Sequence, residues 1–273
     1  MTRRWALAVM FCAAFCAHQA QAQTCTLAIT SPLNFGTYTG AQIRSTTPYA
    51  VTCPGGSWDI PFNAGTGAGA TENLRYLTGP NGAELGYEVY RDSAYSEIWG
   101  NTTTTEETGT GSYNGTIYAQ LNANQVAPPG TYTDTVSSDT QHFTLTIVIQ
   151  TTCTITANPL SFGTYAEALL DSTTTLSVTC TDTTPYDVGL NAGTATGATV
   201  TNRMMTGPSG ALLHYSLYSN AGYSTNWGNT TGSWVTGTGT GTAQTLTVYG
   251  QIPANQKTIS GTYTDTITAT VTY

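Results

Sequence analysis

The chain repeats itself, and this internal duplication limits its fold more than any other feature of the sequence. The motif LNFGTY at residues 33–38 returns as LSFGTY at 160–165, and GTYTDT at 130–135 returns unchanged at 261–266. Further matches fall between them in the same order: NAGT at 63–66 and 191–194, TGP at 78–80 and 206–208, WGN at 99–101 and 227–229, ANQ at 123–125 and 254–256. A repeat of about 125 residues has the size of one domain. We therefore predict two tandem domains, over residues 23–150 and 151–273.

Within each repeat, short segments of alternating apolar and polar residues are separated by Gly, Pro and Asn, which predicts an all-β, antiparallel sandwich. The C-terminal segment shows the alternation most clearly, because threonines fill one face. The residues of the other face are apolar apart from Asp265: Tyr263, Ile267, Ala269, Val271 and Tyr273. Such a pattern is typical of a strand with a core on one side and water on the other.

The N-terminal residues predict export. Arg3 and Arg4 precede a short apolar run and a small-residue cleavage site at 20–22. We interpret residues 1–22 as a signal peptide, since the apolar run is too short to span a membrane. A twin-arginine signal fits the short apolar continuation less well than ordinary secretion.

Four cysteines remain after the predicted cleavage: Cys25, Cys53, Cys153 and Cys180. An even number in an exported protein, with no CxxC pair and no clustered histidines, predicts disulfides rather than a metal site. One disulfide in each repeat would stabilise its domain by roughly 3–4 kcal/mol in the chain-entropy model.

The charge and motif content exclude several functions. Five Lys and Arg face fifteen Asp and Glu once the signal segment is removed, so nucleic acid and anionic membranes are poor partners. We find no catalytic triad order, zinc-protease motif or phosphate loop, and predict no enzyme, no cofactor and no metal. The matched Asp134 and Asp265 suggest a duplicated structural hydrogen bond, and the matched Trp99 and Trp227 a shared packing role.

The two repeats differ at their ends. In the first repeat the closing strand runs into a polar turn at 137–142, and a further alternating segment places Phe143, Leu145, Ile147 and Ile149 on one face. The second repeat has no such segment before Tyr273. The first domain is therefore expected to have one strand more than the second, whose last strand would expose an unpaired edge.

Together, the Cys…FGT…Cys half, the Tyr-x-x-Tyr segments at 87–90 and 215–218, and the closing GTYTDT strand resemble the spore coat protein U domain family. That family includes the pilins and tip adhesins of archaic chaperone–usher pili. The resemblance implies immunoglobulin-like sandwiches that lack their final strand. It also implies a periplasmic chaperone, an outer-membrane usher and a further pilin subunit as partners, the last donating an N-terminal strand.

In that framework residues 143–149 complete the first domain in cis, and the second domain is completed in trans along the edge Tyr263–Tyr273. Burying the four large apolar side chains of 143–149 would contribute roughly 6–12 kcal/mol before ordering costs. The alternative is that 143–149 is an ordinary strand of an ordinary sandwich. Only Gln23 and Thr24 precede Cys25 after cleavage, so we expect no donor strand there and a position at a pilus tip on the cell surface.

We also predict that three loops share the end of the first domain opposite the second: the loop after Cys53, residues 101–113, and the turn at 137–142. The candidate contacts on these loops are Trp58, Glu106, Glu107, Tyr113 and His142, although core packing is favoured for Trp58 and Tyr113. The receptor is unknown. Two other functions remain open: a non-pilus surface or spore-coat protein, and a stand-alone sugar-binding module.

Overall fold

The computed structural model describes residues 24–273, so the predicted signal peptide lies outside the described residues. The described part of the chain contains no helix long and apolar enough to cross a membrane. The first repeat forms ten strands: β1 Thr26–Ile29, β2 Leu33–Thr37, β3 Ile43–Thr52, β4 Ser57–Ile60, β5 Arg75–Thr78, β6 Glu84–Tyr90, β7 Glu107–Thr110, β8 Tyr113–Leu121, β9 Gly130–Ser137 and β10 His142–Ile149. The second forms eight: β11 Cys153–Ala157, β12 Leu170–Cys180, β13 Pro185–Leu190, β14 Arg203–Thr206, β15 Leu212–Tyr218, β16 Val235–Thr238, β17 Ala243–Ile252 and β18 Ala269–Thr272. Each repeat also has one short 3₁₀ turn, at Pro80–Gly82 and Pro208–Gly210.

The strands form two β-sandwiches, which confirms the predicted fold class. In the first domain the strand order is β1-β3-β8-β6-β5-β9-β10-β2, with β4 and β7 paired separately. In the second, the sheets have the orders β11-β12-β17-β15-β14 and β16-β13-β18. The pairing of β10 with β2 is parallel, whereas the other strand pairs are antiparallel. Thus β10 has no counterpart strand in the described part of the second domain.

Both predicted disulfides are confirmed, Cys25–Cys53 and Cys153–Cys180. In the second domain the two cysteines face each other across β11 and β12. Each disulfide therefore fastens the first strand of its domain to the end of the long strand that pairs with it.

Each core contains a fully buried arginine that the sequence patterns do not reveal. Arg75 donates hydrogen bonds to the carbonyl oxygens of Asn63, Glu72, Phe62 and Trp99 at 2.7–3.3 Å. Its repeat partner Arg203 does the same with Asn191, Val200, Leu190 and Trp227 at 2.7–3.0 Å. Burial lowers the pKa of both guanidinium groups. The carbonyl oxygens compensate for the water that each buried cation has lost.

The matched aspartates and tryptophans have the structural roles predicted for them. Asp134 Oδ2 accepts a hydrogen bond from the Tyr87 hydroxyl at 2.6 Å, and Asp265 Oδ2 accepts one from Tyr215 at 2.7 Å. The indole nitrogens of buried Trp99 and Trp227 donate to the carbonyl oxygens of Ile60 and Val188 at 2.7 and 2.8 Å. These bonds recur in both domains and join segments that are distant in the sequence.

Candidate strand-binding groove

Strand β10 lies between two other strands of the first domain. It pairs antiparallel with β9 along eight residues, from His142 opposite Ser137 to Ile149 opposite Gly130. On its other side it pairs parallel with β2, where Leu145 lies opposite Leu33. The backbone of β10 is thus engaged on both edges, and the sheet has no opening at this position.

The inward side chains of β10 fill the first core. Phe143, Leu145, Ile147 and Ile149 are all buried, whereas Val148 between them is 38% exposed. The ring of Phe143 packs edge-on against Phe62, with 5.2 Å between the ring centroids. The alternation predicted from the sequence is therefore the alternation between core and surface.

In the second domain the two segments that would flank such a strand have no strand between them. Residues 160–165 form no strand, and within 261–268 one bridge remains, in which Thr206 and Thr264 exchange two backbone hydrogen bonds of 2.9 and 3.1 Å. The prediction of a strand along 263–273 is therefore wrong for 263–268, and strand structure is confined to Ala269–Thr272. The reason is physical: a segment with no neighbour on one edge loses half of its ladder hydrogen bonds.

The side chains beside this position are less buried than their repeat partners. Leu33, Phe35, Leu77, Tyr132 and Val136 of the first domain are 0–6% exposed. Their counterparts are half-buried: Leu160, Phe162, Met205, Tyr263 and Ile267. The same apolar positions that close a core in one domain remain open to solvent in the other.

Two adjoining cavities occupy this opening, with volumes of about 760 and 500 Å³. Four residues line both of them: Leu160, Phe162, Met205 and Tyr263. We call the combined opening between residues 157–167 and 258–269 the groove. It is the place where an additional strand would lie if the second domain matched the first.

The predicted edge residues divide between the groove and the strand beyond it. Tyr263, Ile267 and Ala269 line the groove. Val271 instead lies opposite Val188 in the pairing of β18 with β13, and Tyr273 is 59% exposed. The sequence reasoning missed the facing wall, Leu160 and Phe162, although both repeat Leu33 and Phe35 of the LNFGTY motif.

The lining of the groove includes a carboxylate, Asp265, whose hydrogen bonds are satisfied. Asp265 Oδ1 accepts bonds of 2.8 Å from the Thr194 N–H and hydroxyl and from the Thr266 N–H, while Tyr215 occupies Oδ2. Burial, and then the bond to Asp265, raise the pKa of the Tyr215 hydroxyl. No group of metal-binding side chains occurs among residues 24–273. The apolar side chains of Leu160, Phe162 and Met205 would receive the alternate side chains of an extended strand.

The candidate contact Trp58 is buried in the core, the role that the sequence favoured for it, and it is not a surface contact. It lies in β4, its indole nitrogen donates to the Gly111 carbonyl at 2.8 Å, and it is 9% exposed. Tyr113 packs against it with 5.8 Å between ring centroids but remains 47% exposed. Tyr113 thus covers Trp58 and presents its own outer face to solvent.

The prediction of one loop cluster is wrong for the loop after Cys53, whereas residues 101–107 lie at the same end of β4 as the 137–142 turn, with Glu107 opposite Ile60. At the end where β4 begins, the Gly111 N–H donates to the Gly56 carbonyl at 2.8 Å. At the end where β4 stops, the Asn63 N–H donates to the carbonyl of Ser137, the first residue of the 137–142 turn, at 3.0 Å. Exposed His142 belongs to this second end. The carboxylate of Glu107 lies 3.9 Å from Arg91, which also donates to the Glu106 carbonyl at 2.9 Å.

The Spore Coat Protein U domain model matches the chain twice, over residues 11–138 and 139–270. The chain belongs to this family. Protein U of Myxococcus xanthus is 35% identical over 127 residues, which cover 42% of the present chain and 71% of that protein. The resemblance to the spore coat protein U domain family found in the sequence is thus confirmed.

Among solved structures, this spore coat protein U domain protein is similar to a chain of the CsuC–CsuE chaperone–tip adhesion subunit pre-assembly complex of the archaic chaperone–usher Csu pili of Acinetobacter baumannii. The TM-score is 0.54 at 17% identity, and the alignment covers 92% of this chain and all of the other. At this identity the match supports the fold.

The boundary between the two family matches differs from the boundary between the two packed domains. The second match begins at residue 139 and so includes β10, yet β10 pairs with β9 and β2 of the first domain. The segment before Cys153 therefore lies in the sheet of the domain that precedes it in the chain.

Proposed function

We propose that this protein is a secreted structural or adhesive subunit whose second domain is completed by a strand from another polypeptide. One observation carries the proposal: β10 fills in the first domain the position that the groove leaves open in the second. The repeated motifs on both sides of that position make the two domains directly comparable.

The first domain supplies the expected arrangement of the donated strand. It would lie antiparallel to residues 261–268 and parallel to 160–164, as β10 lies against β9 and β2. Main-chain hydrogen bonds would hold it, and alternate large apolar side chains would enter the groove. Residues 261–268 match the length of β9, so an eight-residue donor suffices.

The same logic gives the partners and the position in an assembly. A periplasmic chaperone would occupy the groove first, and a pilin subunit delivered through an outer-membrane usher would replace it. The alternating segment 143–149, which lies before the first cysteine of the second domain, already serves its own chain. We therefore place the protein at the tip of a fibre on the cell surface, without catalytic activity.

A coat layer is the second candidate, because Protein U of Myxococcus xanthus is a relative and the family is named for a spore coat. Electron microscopy of the assembled protein distinguishes the two, since a tip subunit labels fibre ends whereas a coat protein labels a continuous surface. A stand-alone sugar-binding module would instead accumulate as a stable monomer when expressed without a chaperone.

The groove can be tested with a peptide that has the sequence of β10, His-Phe-Thr-Leu-Thr-Ile-Val-Ile. Added to the full mature chain, it should slow amide hydrogen exchange along 261–268 and raise the thermal midpoint of the second domain. A matched peptide with Asp at the positions of Leu145 and Ile147 should do neither, because a carboxylate would have to enter the apolar groove. Strong protection of 261–268 without any peptide, together with no binding of the β10 peptide, would refute donor-strand completion.

A further inference from the structure

Each domain has a cluster of three tyrosines on the outer face of its sheet, away from the groove. In the first domain the ring centroid of Tyr95 lies 5.5 Å from that of Tyr90 and 5.7 Å from that of Tyr118. In the second, Tyr223 lies 5.7 Å from Tyr218 and 6.0 Å from Tyr249. The rings meet edge to face in both clusters, which is a favourable aromatic geometry.

The central tyrosine of each cluster has an unusual backbone conformation. Tyr95 and Tyr223 have φ angles of 57° and 50°, a region that bulky residues rarely adopt. A side chain at the start of each loop holds it there. Asp92 accepts hydrogen bonds from the N–H groups of residues 94, 96 and 97, and Asn220 accepts them from residues 224 and 225. Both loops thus present a tyrosine ring on the sheet surface at the expense of backbone strain.

In the first domain an arginine of the same chain covers this ring. The guanidinium carbon of Arg44 lies 4.0 Å from the centroid of Tyr95, and Arg44 Nε donates to Gln120 Oε1 at 2.9 Å. A guanidinium over an aromatic face is a favourable cation–π arrangement. Tyr90, at the edge of this covered cluster, is 8% exposed.

In the second domain a carboxylate replaces that arginine. Asp171 pairs in register with Gln251 as Arg44 pairs with Gln120, and Gln251 Nε2 donates to Asp171 Oδ1 at 2.9 Å. Partial burial, and then the nearby charge of Asp171, raise the pKa of the Tyr223 hydroxyl. Tyr218 is half-buried where its counterpart Tyr90 is buried. The second cluster therefore has a carboxylate where the first has an arginine, and within residues 24–273 no guanidinium lies over Tyr223.

We propose that Tyr223 and Asp171 form a binding site for a guanidinium group, supplied by an arginine of another protein. The guanidinium would take the place over Tyr223 that Arg44 takes over Tyr95, and would also pair with the Asp171 carboxylate. A planar guanidinium suits both contacts better than an ammonium, because it stacks on a ring and donates several hydrogen bonds in its plane.

A second copy of this chain is a poor source of that group. Among residues 24–273 the five cations are Arg44, Arg75, Arg91, Arg203 and Lys257. Two are buried, Arg91 and Lys257 form ion pairs with Glu97 and Glu167, and Arg44 covers Tyr95. The site therefore points to a different polypeptide with an exposed arginine.

The two domains provide a reciprocal test on the full chain. N-acetylarginine amide is titrated while the ring signals of Tyr95 and Tyr223 are followed by NMR, with N-acetylcitrulline amide as the uncharged control of the same shape. The arginine probe should shift the Tyr223 signals saturably, and the citrulline probe should bind at least about two- to fivefold more weakly, as expected for loss of a cation–π contact. Tyr95 should not respond.

Exchanging the two residues should exchange the behaviour. Asp171→Arg should remove the response of Tyr223, because its own arginine then covers the ring, and Arg44→Asp should create a response at Tyr95. If citrulline matches arginine, or if Asp171→Arg leaves the titration of Tyr223 unchanged, the guanidinium site is refuted. These readouts do not involve the groove, so they succeed or fail independently of strand donation.

Discussion

Leu145 of β10 lies opposite Leu33 of β2 in parallel register, and neither side chain is exposed to solvent. Leu160, which repeats Leu33, has no strand beside it and borders a cavity of about 760 Å³. The presence of β10 beside this leucine thus distinguishes the closed domain from the open one. Because both leucines belong to the same repeated motif, their energetic contributions can be compared directly.

Leu33→Ala should destabilise the first domain by about 2–5 kcal/mol, the range for a fully buried leucine. Leu160→Ala should cost the second domain less, since part of that side chain is already in water. Urea denaturation followed by hydrogen exchange in each domain measures both effects. In the presence of the β10 peptide the cost of Leu160→Ala should rise toward that of Leu33→Ala. Equal costs without any peptide would contradict an open groove.

Ile147→Asp should destabilise the first domain by about 4 kcal/mol or more, because it places a carboxylate in a closed apolar core. Val148→Asp is the matched control, since that neighbour in the same strand is 38% exposed. Hydrogen exchange of β2 and β9, which flank β10, reports the effect. Unchanged protection of these strands in Ile147→Asp would show that β10 does not complete the sheet.

The loop that carries Tyr95 should loosen in acid, whereas the equivalent loop of the second domain should not. Hydrogen bonds from the backbone N–H groups, first that of Glu97, lower the pKa of Asp92 from 3.8 to about 2. The stabilisation is therefore complete above pH 4 and is lost as pH falls toward 2. Asn220, at the matching position, does not titrate.

NMR signals of Ser96 and Glu97 should accordingly move with a midpoint near pH 2, while those of Ser224 and Thr225 stay constant. Asp92→Asn should abolish the movement and keep the loop conformation, as Asn220 does in the second domain. A midpoint near 3.8 in the wild-type protein would mean that these bonds are not formed in solution.

The sequence predicts those features that depend on local alternation and on the repeat. The four inward residues of β10, the two disulfides and the absence of a matching strand in the second domain all follow from such patterns. The pairing of Val271 with Val188 does not, because the choice of neighbouring strand depends on contacts between distant segments. The buried Arg75 is equally hidden, since an arginine in a polar context looks like a surface residue until its carbonyl partners are known.

Fusing the β10 sequence to the C-terminus should close the groove within one chain. Strand β18 pairs with β13 up to Thr272. An appended strand that is to lie beside 261–268 must therefore first run back along residues 269–273, about five residues or roughly 17 Å. A flexible linker of about eight Gly and Ser residues spans that distance.

The fused protein should be a soluble monomer whose residues 261–268 exchange amide protons as slowly as β9 does. Tyr263 should become as buried as Tyr132, which solvent-perturbation spectroscopy of tyrosine can detect. The control carries Asp at the appended positions that match Leu145 and Ile147, and it should behave like the unfused chain. If the fusion and its control show the same solubility, thermal midpoint and exchange at 261–268, the groove does not accept a strand.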